Sequence, residues 1–372
     1  MKVLIQSEKL REGLNKILTV VDRKNSRPIL TNCLITSELP NKLTLIASDL
    51  EVSSKIHIDA KIESGGSFCI NSKNFFDILR EMPNEELELF VDKQENYLKL
   101  NCKKINYSLL VTNSEEYPQL SFENNSNEFK LQTTEVLKII NKTSHAISID
   151  ETRLYLNGIY FQLLDEKLRT VAIDGHRLAL LETTEYLGDC KALVDGIIVP
   201  RKGVNELKKI AEAYPESELI LSVDESFLYI NSKNEYFLSI RLIAREYPKY
   251  QSVIPNKTTY SLNVDKMALT NAVKRIKILA NEKTNGIKVS LSANNMTISS
   301  SHPSLGQAKE VLPVNYSGID IEIGFNAKYL IDTLSVFNDS DVIMEFNNEL
   351  SPVVVKSETL PEFLGIIMPL KL

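Results

Sequence analysis

Apolar and polar residues alternate in the same order three times along this chain. The three segments begin at Met1, near Glu128 and near Thr258, and each changes from alternating positions to apolar residues at helical spacing. Alternation with a period of two predicts a half-buried strand, and apolar residues at i, i+3, i+4 and i+7 predict an amphipathic helix. The segments start about 130 residues apart, which is the size of an ordinary domain. The pattern therefore predicts three domains of one fold.

An apolar stripe runs along the first predicted helix of each repeat. The stripe residues are Leu10, Leu14, Ile17 and Leu18 in the first repeat, Val136, Leu137, Ile140 and Ala146 in the second, and Leu269, Val273, Ile276 and Ala280 in the third. Residues suited to helix capping stand just before or at the start of each helix, namely Ser7, Thr133 or Thr134, and Asp265.

A second strand–helix unit follows in each third, and a β-hairpin-like tail follows that unit. The second helices are predicted to start at Ser72, at Pro200 or Arg201, and at Asn326. Another hairpin turn is predicted at Asn294 and Asn295. Each third thus holds two helices and about eight strands, and helices on one face of antiparallel sheets give an α+β fold.

Polar linkers separate the repeats. Residues 121–129 (SFENNSNEF) and 252–260 (SVIPNKTTY) break both periodic patterns. We therefore expect boundaries near Asn125 and Lys257, which give domains 1–125, 126–257 and 258–372.

Composition indicates a soluble protein of the cytoplasm. The start of the chain lacks a continuous apolar signal segment. No stretch approaches the roughly 20 apolar residues of a membrane span, so no membrane contact is expected. The four cysteines, Cys33, Cys69, Cys102 and Cys190, lack paired spacing and lie in strand-like sequence, which favours buried thiols over disulfides or a metal site. We expect no cofactor and no metal.

The charge distribution is uneven. The formal net charge is −6, yet the first helices of the three repeats sum to +6, which leaves −12 for the rest of the chain. If these helices share one surface, that surface is basic and suits a polyanion. The alternative is that lysines simply occupy the solvated faces of helices.

The most distinctive local motif is RTVAIDGHRLALLE at residues 169–182, in which two apolar strands flank an Asp174–Gly175 turn. Asp174 and His176 could form the acid–base pair of a hydrolase. Gly175 interrupts the strand between them, however, and the chain has neither a GxSxG nor a phosphate-binding glycine loop. A structural or binding role is favoured, with no catalytic residues.

The C-terminal segment FLGIIMPLKL, residues 363–372, is unusually apolar for a chain end. It predicts a segment docked against the body of the protein. The alternative is a last edge strand with Pro369 at its unpaired end.

The order and spacing of several motifs resemble those of a known family, the β subunit of bacterial DNA polymerase III, or DNA sliding clamps. The motifs are RPIL (27–30), NSKNFFDIL (71–79), LYLNGIYF (154–161), AIDGHRLAL (172–180), IVPRKGV (198–204), EYPKYQSVIP (246–255), GFNAKYL (324–330) and MPLKL (368–372). The resemblance covers the whole chain.

This resemblance implies a non-catalytic, head-to-tail homodimeric ring that encircles duplex DNA, with helices inside and sheets outside. The implied dimer contacts are Tyr107 and Leu109 of one protomer against Ile278 and Leu279 of the other. Lys274 and Arg275 would face either DNA or acidic residues of the partner.

The resemblance also implies a groove that binds short apolar peptides of the polymerase III α subunit, the clamp loader, other DNA polymerases and repair proteins. Its implied lining is Leu156, Ile173, Gly175, His176, Arg177, Leu178, Pro248, Val253, Asn326, Tyr329, Val353, Ile366, Ile367, Met368, Pro369 and Leu370. The chain departs from the family at Ile173, where Thr is common, and at Ser252, where Arg is common.

DNA contacts implied by the resemblance are sequence-independent and directed mainly at phosphates. The candidates are Lys24, Arg27, Lys73, Arg153, Tyr155, Arg201 and Lys202. A peptide-binding scaffold without a DNA role is the remaining alternative.

Overall fold

The computed structural model describes residues 1–21, 26–92, 96–124 and 128–371. Each third of the chain contributes two α-helices, as the hydrophobic pattern predicts. The helices are α1 (Ser7–Leu18), α2 (Ser72–Glu81), α3 (Thr133–Thr143), α4 (Arg201–Ala213), α5 (Lys266–Lys277) and α6 (Ala327–Leu334).

The strands within the described residues also follow the threefold order, and each of their pairings is antiparallel. The first third contains β1 (Lys2–Gln6), β2 (Asn32–Glu38), β3 (Lys42–Ser48), β4 (Val52–Asp59), β5 (Lys61–Ser64), β6 (Gly66–Asn71), β7 (Glu86–Asp92), β8 (Tyr97–Cys102) and β9 (Ile105–Leu110). The second contains β10 (Phe129–Gln132), β11 (Gly158–Leu164), β12 (Lys167–Ile173), β13 (Arg177–Thr183), β14 (Leu187–Gly188), β15 (Ile197–Pro200), β16 (Glu218–Val223), β17 (Phe227–Ser232) and β18 (Tyr236–Arg241). The third contains β19 (Tyr260–Asp265), β20 (Gly286–Ser292), β21 (Asn295–His302), β22 (Gly306–Pro313), β23 (Ile321–Asn326), β24 (Asp341–Phe346), β25 (Val353–Lys356) and β26 (Phe363–Ile367).

One compact unit combines the first third with part of the second. It comprises residues 1–137, 185–192 and 202–242. Its sheets are five-stranded (β5-β1-β7-β8-β9) and nine-stranded (β14-β10-β16-β17-β18-β4-β3-β2-β6). Strand β18 of the second third pairs with β4 of the first, so these two repeats share one continuous sheet.

The other compact unit combines the remainder of the second third with the last third. It comprises residues 138–184, 193–201 and 243–372. Its sheets are eight-stranded (β15-β11-β12-β13-β26-β25-β24-β19) and four-stranded (β22-β21-β20-β23). The boundary near Lys257 stays a prediction, and the one near Asn125 lies outside the described residues.

Most stripe residues are buried as the helical spacing requires. Leu10, Leu14 and Ile17 of α1 are fully buried, and so is Val273 of α5. Leu18 and Leu137 lie only half-buried at the margins of their stripes, and Ala146 follows α3 in a short 3-10 turn. Ile139 of α3, which the sequence analysis did not include, is buried instead.

The predicted helix starts are accurate to within one residue, but two predicted caps are wrong. Thr133 and Thr134 lie inside α3, and Oγ1 of Thr133 accepts the Ser217 N–H at 3.1 Å. Asp265 caps α5 by accepting the Ala268 N–H at 2.5 Å, and Asn326 caps α6. Ser7 is the first helical residue and does not cap, because its hydroxyl donates to the Pro83 carbonyl at 2.7 Å. This contact holds the start of α1 against the chain that follows α2.

The hairpin of β20 and β21 forms one residue earlier than the sequence suggests. Its turn is Ala293–Asn294, and Asn295 is already the first residue of β21. Asn294 has φ +60°, a left-handed conformation that Asn tolerates better than most residues.

The four cysteines are free and buried, as expected. Burial raises the pKa of Cys33 to about 12, which keeps its thiol protonated and unreactive near neutral pH. Within the described residues, no helix has both the length and the apolar character needed to cross a membrane.

Candidate functional site

The turn between β12 and β13 is fixed by the side chain of Asp174. Its Oδ1 accepts the backbone N–H groups of His176 at 2.8 Å and Arg177 at 3.0 Å. Gly175 has φ +93°, and a Cβ there would lie 2.8 Å from Nη1 of Arg153. The left-handed backbone therefore favours glycine at this position, whereas the Arg153 guanidinium lies at the end of a flexible side chain that can shift.

This geometry does not support an acid–base pair of Asp174 and His176. Both oxygens of the buried Asp174 carboxylate are occupied, because Oδ2 accepts from Nε of Arg177 at 3.1 Å. The exposed His176 ring instead stacks on Tyr329, with ring centroids 5.9 Å apart and planes 19° apart. Asp174 shapes the turn, and His176 forms part of an aromatic surface.

Arg177 joins this turn to α6. Its side chain is 8% exposed, and Nη1 donates to Oδ2 of Asp332 at 2.6 Å. The guanidinium carbon also lies 4.4 Å from the centre of the Tyr329 ring. Asp174 in the turn and Asp332 on α6 hold the buried Arg177 guanidinium in place through ion pairs. The guanidinium in turn supports the Tyr329 ring from beneath.

Sequence reasoning missed Asp332. The available signal was its position three residues after Tyr329, which places both side chains on one face of α6. The start of the same helix is held by Asn326, whose Oδ1 accepts the N–H groups of Lys328 at 3.0 Å and Tyr329 at 3.2 Å.

The C-terminal segment is docked, and the edge-strand alternative is wrong. Strand β26 lies inside the eight-stranded sheet, between β13 and β25. Beyond it, the Met368 N–H donates to the His176 carbonyl and the Leu370 N–H donates to the Gly324 carbonyl, both at 2.8 Å. The Asp174–Gly175 turn and the chain end are therefore direct neighbours.

An apolar surface lies on the outer face of β13 and β26. Leu178 and Ile366 face each other across the two strands and are buried, whereas Ile173 and Val253 beside them are half-exposed. We call the surface formed by these four residues the candidate groove. The cluster below and around it also contains Val171, Leu180, Ile198, Tyr247 and Tyr250 in buried positions, with Tyr155, Tyr160, Ile243, Ile254 and Leu364 partly buried.

Several residues implied for the groove lie elsewhere. Val353 and Ile367 are fully buried, and Ile367 pairs with Arg177 on the opposite face of the sheet from Ile366. They cannot line the surface in this conformation, because adjacent strand residues point to opposite faces. Leu156 is also buried at 4% exposure, whereas Pro248 is half-exposed beside the cluster residue Tyr250.

The candidate DNA-binding residues differ in how much of their charge is available. Lys24 lies outside the described residues, Arg27 and Lys73 are exposed, and Tyr155 packs against the apolar cluster. Arg153 donates to Asp150 at 2.8 Å. Hydrogen bonds from the hydroxyl and amide of Thr152, and then from Arg153, lower the pKa of Asp150 to about 2. Arg153 therefore has a permanent anionic neighbour.

Arg201 and Lys202 make internal contacts. Nη2 of Arg201 donates to the carbonyl of Ile147 at 2.7 Å, and Nζ of Lys202 pairs with the Asp49 carboxylate and donates to the Val20 carbonyl at 3.2 Å. A lysine bound to a carbonyl just past a helix end stabilises that helix terminus. These two residues contribute to packing, whatever further contact they make.

The cations of the first helices are also partly paired. Lys138 contacts Glu362 at 2.8 Å, and Lys142 donates to the Val336 carbonyl. Arg275 pairs with Glu310 of its own chain at 2.9 Å, although the sequence analysis had assigned it to DNA or to a partner protomer. The net charge of +6 counted from the sequence therefore overstates the unpaired positive charge.

The implied dimer residues belong to different compact units. Tyr107 and the half-buried Leu109 lie on β9, at one end of the five-stranded sheet, where Leu110 is 72% exposed. Ile278 is 76% exposed just after α5, and Leu279 is half-buried. Leu110 was missed because the sequence pattern alone does not reveal which strand ends a sheet.

No group of three or more His, Cys, Asp or Glu residues suited to a metal ion occurs in the part of the chain that the structure describes.

Family models of the DNA polymerase III beta subunit match the chain in three consecutive parts. The N-terminal domain model matches residues 1–121, the central domain model 130–249 and the C-terminal domain model 251–371. Similar relatives include the beta sliding clamps of Caulobacter vibrioides strain NA1000 and Vibrio cholerae serotype O1. Each is 30% identical, over 377 and 374 residues respectively, with 100% of both chains covered.

Solved sliding-clamp structures share this fold. A DnaN sliding clamp from Bartonella birtlesii bound to griselimycin superimposes with a TM-score of 0.95 at 26% identity. A DNA polymerase sliding clamp from Caulobacter crescentus gives a TM-score of 0.93 at 30% identity. In both comparisons 100% of each chain is covered.

Proposed function

The chain belongs to the DNA polymerase III beta subunit family, and we propose that two copies form a ring around duplex DNA and tether replication proteins through the candidate groove. The protein is a DNA sliding clamp, a processivity factor that performs no catalysis itself. The observation that carries the proposed mechanism is that Ile173 and Val253 are half-exposed beside the buried floor of β13 and β26, between the turn at Asp174 and the docked C-terminus.

The ring would close through the edge strands of two sheets. Strand β9 ends the five-stranded sheet and β22 ends the four-stranded sheet, so each offers backbone groups to another strand. Leu110 near one end and Ile278 and Val311 near the other are more than half exposed, which suits the apolar core of an interface. Two different surfaces that meet head to tail generate a closed ring when the rotation between copies closes.

The groove would hold a short apolar segment of a partner. Ile173 and Val253 present apolar surface to solvent, and the Tyr329 ring is already fixed by its contacts with His176 and Arg177 of the turn that follows Ile173. A preformed surface reduces the conformational entropy lost on binding. The partners are the polymerase III α subunit, the clamp loader, and other polymerases and repair proteins, and we place this activity in the cytoplasm.

DNA would be retained mainly because the ring encloses it. Contacts to phosphates are independent of sequence and weaken as salt rises. Arg27 and Lys73 are exposed candidates, and Arg201 and Lys202 combine this candidacy with internal packing contacts. A net charge of −6 is compatible with this mode, because enclosure does not require high affinity.

A retention assay tests the ring. A dimer should have about twice the chain mass of 42.1 kDa. With a clamp loader and ATP present, the protein should remain on nicked circular DNA and dissociate when the circle is cut. A stable monomer that binds peptides but is never retained on circles would overturn the ring and favour a scaffold without a DNA role.

A further inference from the structure

The apolar outer face of the eight-stranded sheet continues beyond the candidate groove. Side chains at every second strand position share a face, so Leu180 follows Leu178 on β13 and Leu364 accompanies Ile366 on β26. The register confirms the alignment, because Leu178 pairs with Ile366 and Leu180 with Leu364. The apolar floor therefore extends one further step, about 7 Å along the strands.

A cavity of about 570 Å³ opens over this extension. Its apolar lining includes Leu180, Ile254, Ile343 and Leu364. Leu180 is buried and the other three are half-exposed. Leu180, Ile254 and Leu364 also belong to the cluster that supports the candidate groove, so cavity and groove share a continuous apolar wall.

Four of the five charged residues that line this cavity are paired within the chain, and the fifth is the exposed Glu358. Nε of Arg169 donates to Oε1 of Glu182 at 2.8 Å, and Lys356 contacts Glu345 at 2.7 Å. Burial raises the pKa of Glu182, but hydrogen bonds from Lys167 and Arg169 outweigh it, so the pKa lies below its usual value. The rim therefore consists of ion pairs and the one exposed carboxylate of Glu358, and it surrounds an apolar floor.

We propose that this cavity, the flanking pocket, binds an apolar side chain of the same partner segment that occupies the candidate groove. The inference rests on the proposed role of that groove in partner binding. Because the flanking pocket and the candidate groove share an apolar wall, a peptide bound in the groove would continue into the pocket. An extended peptide advances about 3.3 Å per residue, so two of its residues span the step from Leu178 to Leu180. The peptide side chain that enters the flanking pocket would lie a few residues before or after the peptide residues that the candidate groove holds.

The consequence is a second level of partner discrimination. Partners with the same core motif would differ in affinity according to whether an aliphatic or aromatic residue flanks it. A polar flanking residue would leave Ile254, Ile343 and Leu364 exposed to water and gain nothing from the pocket.

The test uses three fluorescent synthetic peptides from the clamp-binding segment of the polymerase III α subunit. One contains the core alone, one adds apolar flanking residues on both sides, and one carries serines at the same flanking positions. Binding is measured by fluorescence polarisation to the full-length protein and to Ile343→Ser, which shortens the pocket lining away from the groove. The matched control is Leu164→Ser, a half-buried residue on the same sheet outside the pocket.

For the unsubstituted protein, the apolar-flanked peptide should bind about tenfold more tightly than the serine-flanked one, as expected for partial burial of one large side chain. Ile343→Ser should remove most of this gain and leave the core peptide unchanged, whereas Leu164→Ser should keep the gain. Circular dichroism melting verifies that both variants fold.

Two results would overturn the flanking pocket alone: equal binding of the apolar-flanked and serine-flanked peptides, or a gain that survives in folded Ile343→Ser. Failure of the core peptide to bind the unsubstituted protein would instead overturn the role of the groove, and the flanking pocket with it.

Discussion

The two places where the repeats share a sheet differ in what covers their apolar faces. At the junction of β18 and β4, Lys55 and Phe237 are directly paired across the strands, and Nζ of Lys55 lies 4.0 Å from the centre of the Phe237 ring. Phe122, from the segment after the first repeat, is only 7% exposed and lies 5.1 Å from the same nitrogen. Glu123 completes the cover with an ion pair to Lys55 at 3.4 Å.

The junction of β13 and β26 is covered by the segment after the second repeat, because Tyr247 and Tyr250 are buried in one cluster with the strand residues Leu178 and Ile366. Leu178 and Ile366 form its floor, and Ile173 and Val253 beside them remain half-exposed. Linker residues therefore cover apolar side chains at both junctions, and at the second they leave Ile173 and Val253 half-exposed. Both junctions are built from paired strands of two repeats, so the fold alone does not indicate which of them binds a partner. The half-exposed apolar residues at the junction of β13 and β26 do indicate it.

The largest expected effect comes from placing charge on the junction of β13 and β26. In the double variant Ile173→Asp and Val253→Asp, a bound apolar peptide would desolvate two carboxylates without a partner. We expect the affinity for the core peptide of the polymerase α subunit to fall about 100-fold or more, which corresponds to about 3 kcal/mol. Fluorescence polarisation measures the loss.

The control for this variant is Val194→Asp, which changes an apolar residue already 51% exposed. It should bind the peptide normally, and all variants should remain dimers by native mass. Unchanged peptide affinity in the double variant would show that partners bind elsewhere.

The next effect concerns the buried guanidinium under the junction of β13 and β26. Asp332→Ala leaves Arg177 with Asp174 as its one remaining carboxylate partner among the described contacts. Removal of one partner of a buried pair is strongly destabilising, but the Asp332 side chain is 29% exposed, so we expect a loss of about 2 kcal/mol in the free energy of unfolding. Urea denaturation provides the measurement.

The junction of β18 and β4 supplies the matched comparison. Glu123→Ala breaks the pair with Lys55, but Glu123 is 63% exposed, so the expected change is below about 1 kcal/mol. Peptide affinity should fall in Asp332→Ala, because Tyr329 loses its support, and stay constant in Glu123→Ala. Equal stability losses in the two variants would contradict the difference in burial that separates these pairs.

A pH-dependent effect follows from one histidine near each junction. Burial, and then the Arg177 cation, lowers the pKa of His145 to about 4, and burial lowers that of His57 to about 4 as well. The unfolded chain has the ordinary pKa of about 6.5 and binds more protons between these values, so stability is present above pH 6.5 and is lost as pH falls towards 4.

His145→Gln should therefore lessen the fall in stability between about pH 6.5 and pH 4, by about 2 kcal/mol at the acidic end. His57→Gln should lessen it less, because its ring is only half-buried and solvent screens the charge. Urea denaturation at a series of pH values measures both slopes, and identical profiles for the two variants and the parent would refute the assignment.

Particular residues show how far the sequence predicts this site. Period-two alternation placed strands on both sides of Asp174, and the apolar end of the chain indicated docking, so the two main elements were recognised. The same alternation also shows that Ile366 and Ile367 cannot line one surface, although both were carried over from the family resemblance. The position of a strand, and the face to which each of its side chains points, can therefore be predicted from neighbouring residues in the sequence.

The distant polar partners were not predictable in this way. Arg177 and Asp332 are separated by 155 positions, and Lys202 and Asp49 by 153. No periodicity connects such pairs, because the packing of α6 against the sheet and of α4 against the first repeat brings them together. This is why the count of basic residues overstated the charge available for DNA, and why Asp332 was missed.

The smallest expected effect comes from Ile173, where the family resemblance implies that Thr is common. Ile173→Thr exchanges a half-exposed apolar group for one with a hydroxyl. Loss of part of one aliphatic contact should weaken the core peptide a few-fold, about 0.5 to 1 kcal/mol, without change in the melting temperature beyond that of the control Val194→Thr. A tighter complex would show that the hydroxyl makes a specific hydrogen bond to the peptide, and that the junction of β13 and β26 recognises polar as well as apolar groups.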